Sequence, residues 1–535
     1  MLLRPKIYYS WNCKMKIEIE DKKNFHNLSC NCCKSGNNCT FNRRTFIKGL
    51  GAGIIAAHLP LSLFADENQK VSGDFKPLEA LKLKIQPVLA VTLFQKAEKT
   101  SWRPWGGFHT QKDIDDEKLR IKKELDKIAA GSQFPFEVLP LATVDNVQTA
   151  SQIAKGDHDL LLMYPANCWV DVLEALTNPE KWTIVFARHD SGPVYLWYEV
   201  MHNRYLRKTV DEFGQPSVDY QDIVIDNLDE LEWRFRALYG LKNTLDKKIV
   251  CIGGPAGWGE GGKKAPDIAR TTWKMDLQTV DLSTFESLIK KAKQDKNLVS
   301  KCENAVADYL NKSEVSLETN KTFVVNAFIL TEVFKDIMRQ AGTDSITVNH
   351  CMGPIIGIAE TTACLSLSIL NDAGFTAFCE SDFVVIPSGV LLHYISSLPV
   401  FLNDPTYPHD GMVTIAHCTA PRKMNGKSLE PVRILTHFES DYGAAPKVQM
   451  KKGQVLTNIV PDFNCKKWLG FEGTVIDNPF LDICRSQVDI SVKGSIDTLN
   501  AETKGFHWMT CYGSFLKETG YALKKLNINW LNLSA

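Results

Sequence analysis

Beyond residue 82 the chain alternates short apolar runs with longer amphipathic segments, and this alternation limits the possible folds more than any other feature. The apolar runs predict strands at 87–92, 136–141, 159–164 and 182–187, and the segments between the first three predict helices at 116–130 and 144–155. Strands that alternate with helices form largely parallel sheets. We therefore predict a first α/β domain over residues 80–245.

A second α/β unit is predicted to begin after a connecting helix at 228–241. A strand at 248–253 opens it, so we place the second domain at 246–398. The strand runs into a glycine-rich turn at 253–259, a type of turn that can cradle a phosphate. It has neither the spacing of a dinucleotide fingerprint nor the Lys-Ser/Thr ending of a P-loop. Two interpretations stay open, a tight backbone turn at the domain junction and a loop that faces a substrate.

Past residue 398 the pattern changes to short strand-like runs separated by Gly, Pro, Asn and Asp. The runs lie at 412–417, 432–438, 454–460 and 488–492, and a helix is predicted at 516–526. Such spacing is typical of antiparallel barrels and sandwiches. The predicted fold class is therefore α/β, with two Rossmann-like parallel α/β domains followed by a C-terminal antiparallel β-barrel-like domain at 399–535.

Charge composition excludes one class of partner. The 535 residues contain 62 Lys and Arg against 62 Asp and Glu, so the formal net charge is zero. Nucleic-acid-binding proteins carry a basic surface, and no global excess of positive charge exists here. We expect no nucleic-acid partner, and an uncharged ligand such as a sugar needs no global field.

The N-terminal segment, residues 1–65, is predicted to be a targeting tail. Arg43 and Arg44 are followed by Phe46, Lys48 and a moderately apolar run at 49–64, a combination that resembles a twin-arginine signal. The apolar run is short for a membrane span, which needs about 20 residues. The resemblance implies export to the periplasm by the twin-arginine machinery, with a cytoplasmic location as the alternative.

The fifteen cysteines fall into two groups. Five lie upstream of the predicted signal: Cys13, and a close group of Cys30, Cys32, Cys33 and Cys39. The close group could hold zinc or an iron–sulfur cluster, or it forms a polar segment that is removed with the signal. The ten cysteines beyond residue 100 are far apart and several lie in apolar runs. We expect these to be mostly buried free thiols.

Candidate metal-binding carboxylates lie between residues 349 and 382. Glu360 is predicted near the start of a helix, and a glycine stop at Gly374 leads into a strand that ends in Glu380-Ser381-Asp382. Alternation along a strand would place Glu380 and Asp382 on one face at its carboxyl end, where open α/β sheets bind ligands. Glu360 and Asp382 could then share one hard divalent cation. Alternatively, Glu360 is a helix charge and Asp382 a turn residue.

Several segments in this order resemble the L-fucose isomerase and L-arabinose isomerase superfamily, and most closely the C-terminal region of fucose isomerase. The resemblance covers about residues 340–520 and is carried by Glu360 with its helix and by the segments 379–382, 399–404, 416–418 and 505–509. It implies that Glu360, Asp382 and His507 bind a divalent metal, most often Mn²⁺ with Mg²⁺ as an alternative. It also implies that Glu360 and Asp382 move the substrate proton.

Four further residues are candidates for contact with the sugar: His417, Glu380, His350 and Trp508. The histidines and Glu380 have structural alternatives. The histidines, His507 included, could be hydrogen-bonded core residues, and Glu380 could be a residue that holds the ligands or a strand-end charge. We also expect a homo-oligomer.

The chemistry implied by the resemblance is aldose–ketose isomerisation through an enediol. That reaction needs a base next to a carbonyl, an acid that returns the proton, and a cation that polarises the oxygens. Two alternatives stay open: an exported carbohydrate-binding protein that keeps the isomerase fold without turnover, and a purely structural role.

Overall fold

The computed structural model describes residues 75–208 and 214–535. The predicted twin-arginine signal and the cysteine cluster upstream of it lie outside these ranges. All ten cysteines beyond residue 100 are free, eight of them buried and two half-buried, as the sequence predicts. Within the two described ranges, no helix combines the length and the apolar character that crossing a bilayer requires.

The first domain is built on a six-stranded parallel sheet. Its strands are β1 (Leu83–Val91), β2 (Phe136–Val138), β3 (Ala142–Val144), β4 (Leu160–Asn167), β5 (Trp182–Ala187) and β6 (Ile223–Ile225). Its α-helices are α1 (Gln111–Gly131), α2 (Val147–Ala154), α3 (Val170–Leu176), α4 (Leu196–Val200) and α5 (Asp229–Thr244). A π-helical segment (Met201–Leu206) and a 3-10 turn (Tyr220–Asp222) connect α4 to β6. The predicted parallel α/β architecture is confirmed.

Local sequence signals explain where these elements differ from the predicted bounds. Helix α1 begins five residues earlier than predicted because Thr110 and Asp113 form a capping box, each side chain accepting from the other's backbone N–H. The strand predicted at 136–141 ends already at Val138 as β2, and the separate strand β3 begins at Ala142. Pro140, which cannot donate to a strand ladder, lies in the gap between them.

The second domain contains a four-stranded parallel sheet in the order β11-β10-β7-β8. Its strands are β7 (Lys248–Ile252), β8 (Asp276–Val280), β10 (Ser345–Val348) and β11 (Thr376–Cys379). Its α-helices are α6 (Ala265–Thr272), α7 (Leu282–Gln294), α8 (Lys296–Leu310), α9 (Lys321–Ala341), α10 (Pro354–Ala359), α11 (Cys364–Asp372) and α12 (Ile386–Ser396), with a 3-10 turn at Gly261–Lys264. Because β7, β10 and β11 are parallel neighbours, the turns that follow them meet at one sheet edge.

A closed six-stranded antiparallel barrel forms the C-terminal part of the chain. Its strands are β12 (Phe401–Pro405), β13 (Met412–His417), β16 (Val455–Val460), β17 (Lys467–Asp477), β18 (Ser486–Lys493) and β19 (Trp508–Tyr512). The order is β16-β19-β12-β13-β18-β17, and β16 pairs with β17 to close the ring. Helices α13 (Ile496–Glu502) and α14 (Leu516–Lys524) follow β18 and β19, and the last strand, β20 (Asn529–Asn532), joins β17 in parallel. The predicted barrel is confirmed.

One predicted strand of the C-terminal region lies outside the barrel. Strands β14 (Val432–His437) and β15 (Tyr442–Val448) form a hairpin, and β14 also pairs in parallel with β9 (Val315–Leu317). This separate three-stranded sheet ties the long loop after β13 to the second domain. The pairing is non-local, so strand propensity alone does not reveal it.

Candidate active site

Five ionisable side chains converge where the second domain meets the barrel. Glu380 and Asp382 come from the turn after β11, Asp404 from β12, His417 from the end of β13, and His507 from the residue before β19. His507 is fully buried and Asp382 and His417 nearly so, whereas Glu380 and Asp404 keep partial solvent contact. We call these five residues the His–carboxylate cluster.

His507 is oriented through one ring nitrogen and open at the other. Its Nδ1 lies 2.7 Å from Oδ2 of Asp382 and makes a hydrogen bond. Its Nε2 lies 3.2 Å from Oδ1 of Asp404 and 3.4 Å from Oε2 of Glu380, and it is buried without a hydrogen-bond partner. A carboxylate that holds one imidazole nitrogen while the other faces acidic oxygens is the arrangement found behind metal-binding histidines.

His417 repeats this arrangement. Its Nδ1 lies 3.1 Å from Oγ1 of Thr419, and its Nε2 lies 3.5 Å from Oε1 of Glu380. That Nε2 is also buried and has no hydrogen-bond partner. The two imidazole centroids are 5.9 Å apart, so both Nε2 atoms approach the same Glu380 carboxylate. One oxygen of Glu380 faces each histidine.

The barrel register explains why Asp404 joins the cluster. In the antiparallel pairing of β12 with β19, Asn403 lies opposite Trp508, which places Asp404 beside His507. On the other side of β12, Asp404 lies opposite Ala416, next to His417. Asp404 therefore lies between the two strand ends that carry the histidines, and its buried Oδ1 has no hydrogen-bond partner.

The pKa values of the two partly exposed carboxylates in the cluster shift in opposite directions. Burial opposes ionisation of Glu380, but the His417 and His507 imidazoles hold its pKa well below the usual range. For Asp404, burial dominates and raises the pKa, although both histidines oppose the shift. Glu380 is thus held as a carboxylate, whereas Asp404 is biased towards carrying a proton.

The carboxylates of the cluster raise the pKa of both histidines above the ordinary value. Burial would lower the pKa of His507, but its hydrogen bond to Asp382 and the nearby Glu380 carboxylate raise it to about 10. Burial likewise opposes protonation of His417, and Glu380 and Asp404 together raise its pKa. A cation that binds the Nε2 atoms must therefore displace protons.

The sequence predicts an extended strand end at Glu380 and Asp382. The structure has a tight turn there instead. Glu380 and Ser381 both have positive φ, 62° and 50°, a region that non-glycine residues rarely occupy. Two successive left-handed residues cost about 1–3 kcal/mol each unless surrounding contacts fix them. This pair of residues, rather than strand alternation, turns the Glu380 carboxylate towards the barrel.

The glycine-rich turn after β7 supplies those fixing contacts. Ala256 donates its N–H to the carbonyl of Ser381 at 3.1 Å and accepts from the N–H of Phe383 at 3.0 Å. The Trp258 N–H donates to Oδ1 of Asp382, also at 3.1 Å. The turn therefore holds the strained segment in place.

The same turn lines a cavity of about 410 Å³ that reaches Glu380. The other walls come from the turn after β10, including His350 and Met352. Trp258 stacks on Phe506 with ring centroids 3.6 Å apart, and Phe506 in turn packs edge-on against His507. The glycine-rich turn thus faces a cavity as well as forming a tight backbone turn, and His350 lines the same cavity.

Glu360 lies outside the His–carboxylate cluster, contrary to the sequence-based prediction. It follows the last residue of α10 with φ 53°, so it caps a helix C-terminus rather than beginning a helix. Its side chain is 64% exposed, and Oε2 forms an ion pair with Nζ of Lys293 at 2.9 Å. A solvated carboxylate neutralised by lysine is a surface charge.

We expect the Glu360→Gln variant to keep metal content and any catalytic turnover within about twofold of the parent protein. An ion pair with one exposed partner contributes at most about 1 kcal/mol, so folding is expected to survive. Parallel metal analysis and turnover assays of the two proteins check this. A tenfold loss of either would restore Glu360 to the site.

Two further predicted roles change in the structure. Trp508, a candidate sugar contact, is fully buried in the barrel core and packs edge-on against Phe471, so it cannot touch a substrate. Asp382, a candidate ligand and proton carrier, has both oxygens occupied: Oδ1 accepts from the N–H groups of Trp258 and Val384, and Oδ2 from His507. It is a positioning residue for His507.

Of the predicted site residues, the structure brings together Asp382, His507, Glu380 and His417. Asp404 is the member that the sequence reasoning did not single out, although it lies in the 399–404 segment of the resemblance. Only its position in the sequence indicates a role for Asp404. It is an acidic residue near the end of a strand, and the neighbouring strands carry histidines at their ends. No protein-family model matches the chain, and comparison with curated proteins also finds no match.

Proposed function

We propose that the His–carboxylate cluster binds one divalent cation and that the protein uses it to interconvert an aldose and a ketose. The observation that carries the proposal is the pair of buried Nε2 atoms, on His417 and His507, which lack hydrogen bonds and face acidic oxygens. The nearest groups to these nitrogens are carboxylate oxygens at 3.2–3.5 Å, and one cation could bind both nitrogens and those oxygens at once. The sequence resemblance to sugar isomerases supports the choice of reaction.

The donor set fits a first-row divalent cation, and the sequence resemblance favours Mn²⁺ among these. Glu380, His417 and His507 each offer an atom within 4.8 Å of the other two, and Asp404 adds an oxygen 3.2 Å from His507. Imidazole nitrogens combined with carboxylate oxygens suit Mn²⁺, whereas Mg²⁺ and Ca²⁺ prefer oxygen alone. Asp382 and Thr419 hold the Nδ1 atoms and so fix which nitrogen of each ring is available.

The protein residues supply the proton transfer. Asp404 is the candidate base and acid, since its Oδ1 is free of hydrogen bonds and burial raises its pKa towards the range in which a carboxyl group exchanges protons. It would take the proton from the carbon beside the carbonyl and return it to the former carbonyl carbon, while the proton of the adjacent hydroxyl moves to the former carbonyl oxygen. When bound, the cation would polarise the two sugar oxygens involved. Glu380 stays ionised as a ligand.

The cavity beside Glu380 suits a small uncharged polar substrate. Its volume of about 410 Å³ lies in the range of small-molecule sites, and Trp258 offers an aromatic wall beside polar groups of Asn349 and His350. Flat aromatic side chains pack well against the apolar face of a sugar ring, while its hydroxyl groups need polar partners. A monosaccharide meets both conditions.

The test is a conversion assay on the full chain after metal removal and reloading. We expect the chelated protein to convert no aldopentose or aldohexose to its ketose, and Mn²⁺ to restore conversion. We also expect Mn²⁺ affinity to rise about tenfold per pH unit between pH 6 and 8, because His507, with a pKa of about 10, must lose its proton to bind metal. Titration at three pH values checks the slope. A pH-independent affinity would contradict the ligand assignment.

A carbohydrate-binding protein without turnover is the second candidate, and one observation favours it. A cavity of about 580 Å³ in the first domain is lined by several aromatic rings, among them Trp102, Trp105 and Trp169. Trp105 and Trp169 are more than half exposed, as in sugar-binding surfaces that stack rings on sugars. Sugar binding by the manganese-loaded protein with no conversion of any aldose would favour this function over isomerisation.

A further inference from the structure

A second group of side chains of the types that bind metals lies next to the strand end that carries His417. Cys364 begins α11, Cys418 follows β13 and His437 ends β14. The two Sγ atoms and a ring nitrogen of His437 lie within 4.8 Å of one another, and all three side chains are buried. These residues are distant in sequence, so the fold alone brings them together.

A fourth candidate ligand, Cys484, lies in the loop before β18. Its thiol neighbours that of Cys418, which in turn neighbours that of Cys364. The three cysteines pack in one small cluster with Ala445, and Cys484 is its half-buried member. Three thiols and one imidazole therefore lie close to Cys418.

We propose that Cys364, Cys418, Cys484 and His437 bind a structural zinc ion. Three thiolates and one imidazole form one of the standard tetrahedral zinc sites. At a Zn–S distance of about 2.3 Å, the sulfurs of a tetrahedron lie about 3.8 Å apart. The ligand atoms of Cys364, Cys418 and His437 lie within 4.8 Å of one another, which is compatible with that spacing. Soft thiolates do not suit Mn²⁺ or Mg²⁺, so this site selects a different metal from the His–carboxylate cluster.

The surrounding contacts fit a zinc site. Nδ1 of His437 lies 3.1 Å from Oγ of Ser440, which leaves Nε2 for the metal. The Arg485 N–H donates to Sγ of Cys418 at 3.4 Å, a contact that stabilises negative charge on sulfur. Three thiolates around Zn²⁺ leave one net negative charge. The Arg485 side chain provides a compensating positive charge nearby, where it hydrogen-bonds to Thr436 and packs on Phe438, the two neighbours of His437.

The zinc site would stabilise the His–carboxylate cluster through the strand end that carries His417. Cys418 directly follows His417, and Thr419, which holds Nδ1 of His417, comes next. Zinc would tie this strand end to α11, to β14 and to the loop before β18. Zinc would thereby act, together with Thr419, as a positioning element for the His417 ring.

Cobalt substitution of the full chain tests the proposal without reference to activity. Co²⁺ bound by thiolates gives an intense sulfur-to-metal charge-transfer band, whereas Co²⁺ on imidazoles and carboxylates does not. We expect the band in the parent protein and in His507→Ala, and its loss in Cys418→Ser. Cys302→Ser, which removes a buried free thiol elsewhere, is the matched control and should keep the band.

The N-terminal cysteines must be separated from this signal. A variant with Ser at Cys30, Cys32, Cys33 and Cys39 is expected to keep the full band and one tightly bound zinc per chain. If Cys418→Ser does not fold, X-ray absorption of the zinc-loaded N-terminal variant decides, with three sulfurs and one nitrogen expected around zinc. Absence of the band, its loss in the N-terminal variant, or a disulfide among the three cluster cysteines would overturn the proposal.

Discussion

Replacing His507 with alanine is expected to remove Mn²⁺ from the His–carboxylate cluster and to lower aldose–ketose conversion by at least about 10³-fold. The substitution deletes an Nε2 donor that faces both Glu380 and Asp404. It also leaves the Asp382 carboxylate without its imidazole partner, which costs about 1–3 kcal/mol of stability. Metal analysis, turnover and thermal unfolding of the variant measure the three effects.

The matched control is His409→Ala, since His409 is an exposed histidine in the loop between β12 and β13. It should retain both manganese and turnover. Manganese binding of normal affinity in His507→Ala would show that the cluster is not the metal site. Loss of activity with metal retained would instead identify His507 as a residue that acts on the substrate.

Asp382→Asn is expected to weaken Mn²⁺ binding by about 10–100-fold, while excess Mn²⁺ restores most of kcat. Residues that hold a ligating histidine typically contribute this much to affinity. The loss of negative charge also lowers the pKa of His507 from about 10 towards its ordinary value, so metal binding near pH 8 should release fewer protons. Calorimetry in buffers of different ionisation enthalpy measures that proton count.

This variant separates the two roles that have been considered for Asp382. If it only positions His507, saturation with metal compensates for its loss. If it were itself the proton carrier, kcat would stay low at any manganese concentration and metal affinity would be near normal. The occupied oxygens of Asp382 favour the first result.

The architecture was predictable because it depends on local periodicity. Apolar runs alternating with amphipathic segments identify strands and helices within a few residues, and their alternation requires parallel pairing. Errors arose where a single side chain sets a boundary, as at the capping box of Thr110 and Asp113, or where pairing is distant, as for β14 with β9.

The sequence indicated which types of residue form the candidate site, but it did not identify all of the residues that belong to it. Motif order identified Asp382, His417 and His507, which are far apart in sequence and meet in the structure. The sequence predicts Glu360 as a metal ligand near a helix start, where a carboxylate is a plausible ligand. The helix containing Ala359 ends there instead, and Glu360 points to solvent and Lys293.

The sequence by itself determined the alternation that produces two parallel sheets, the strand-rich C-terminal region and the supply of histidines, thiols and carboxylates. Only the tertiary structure decided which of them meet. Closure of the barrel places Asp404 between the strand ends of His417 and His507, and the left-handed turn at Glu380 and Ser381 directs a carboxylate towards them. Register and positive φ depend on long-range contacts, and a local sequence pattern does not encode those contacts.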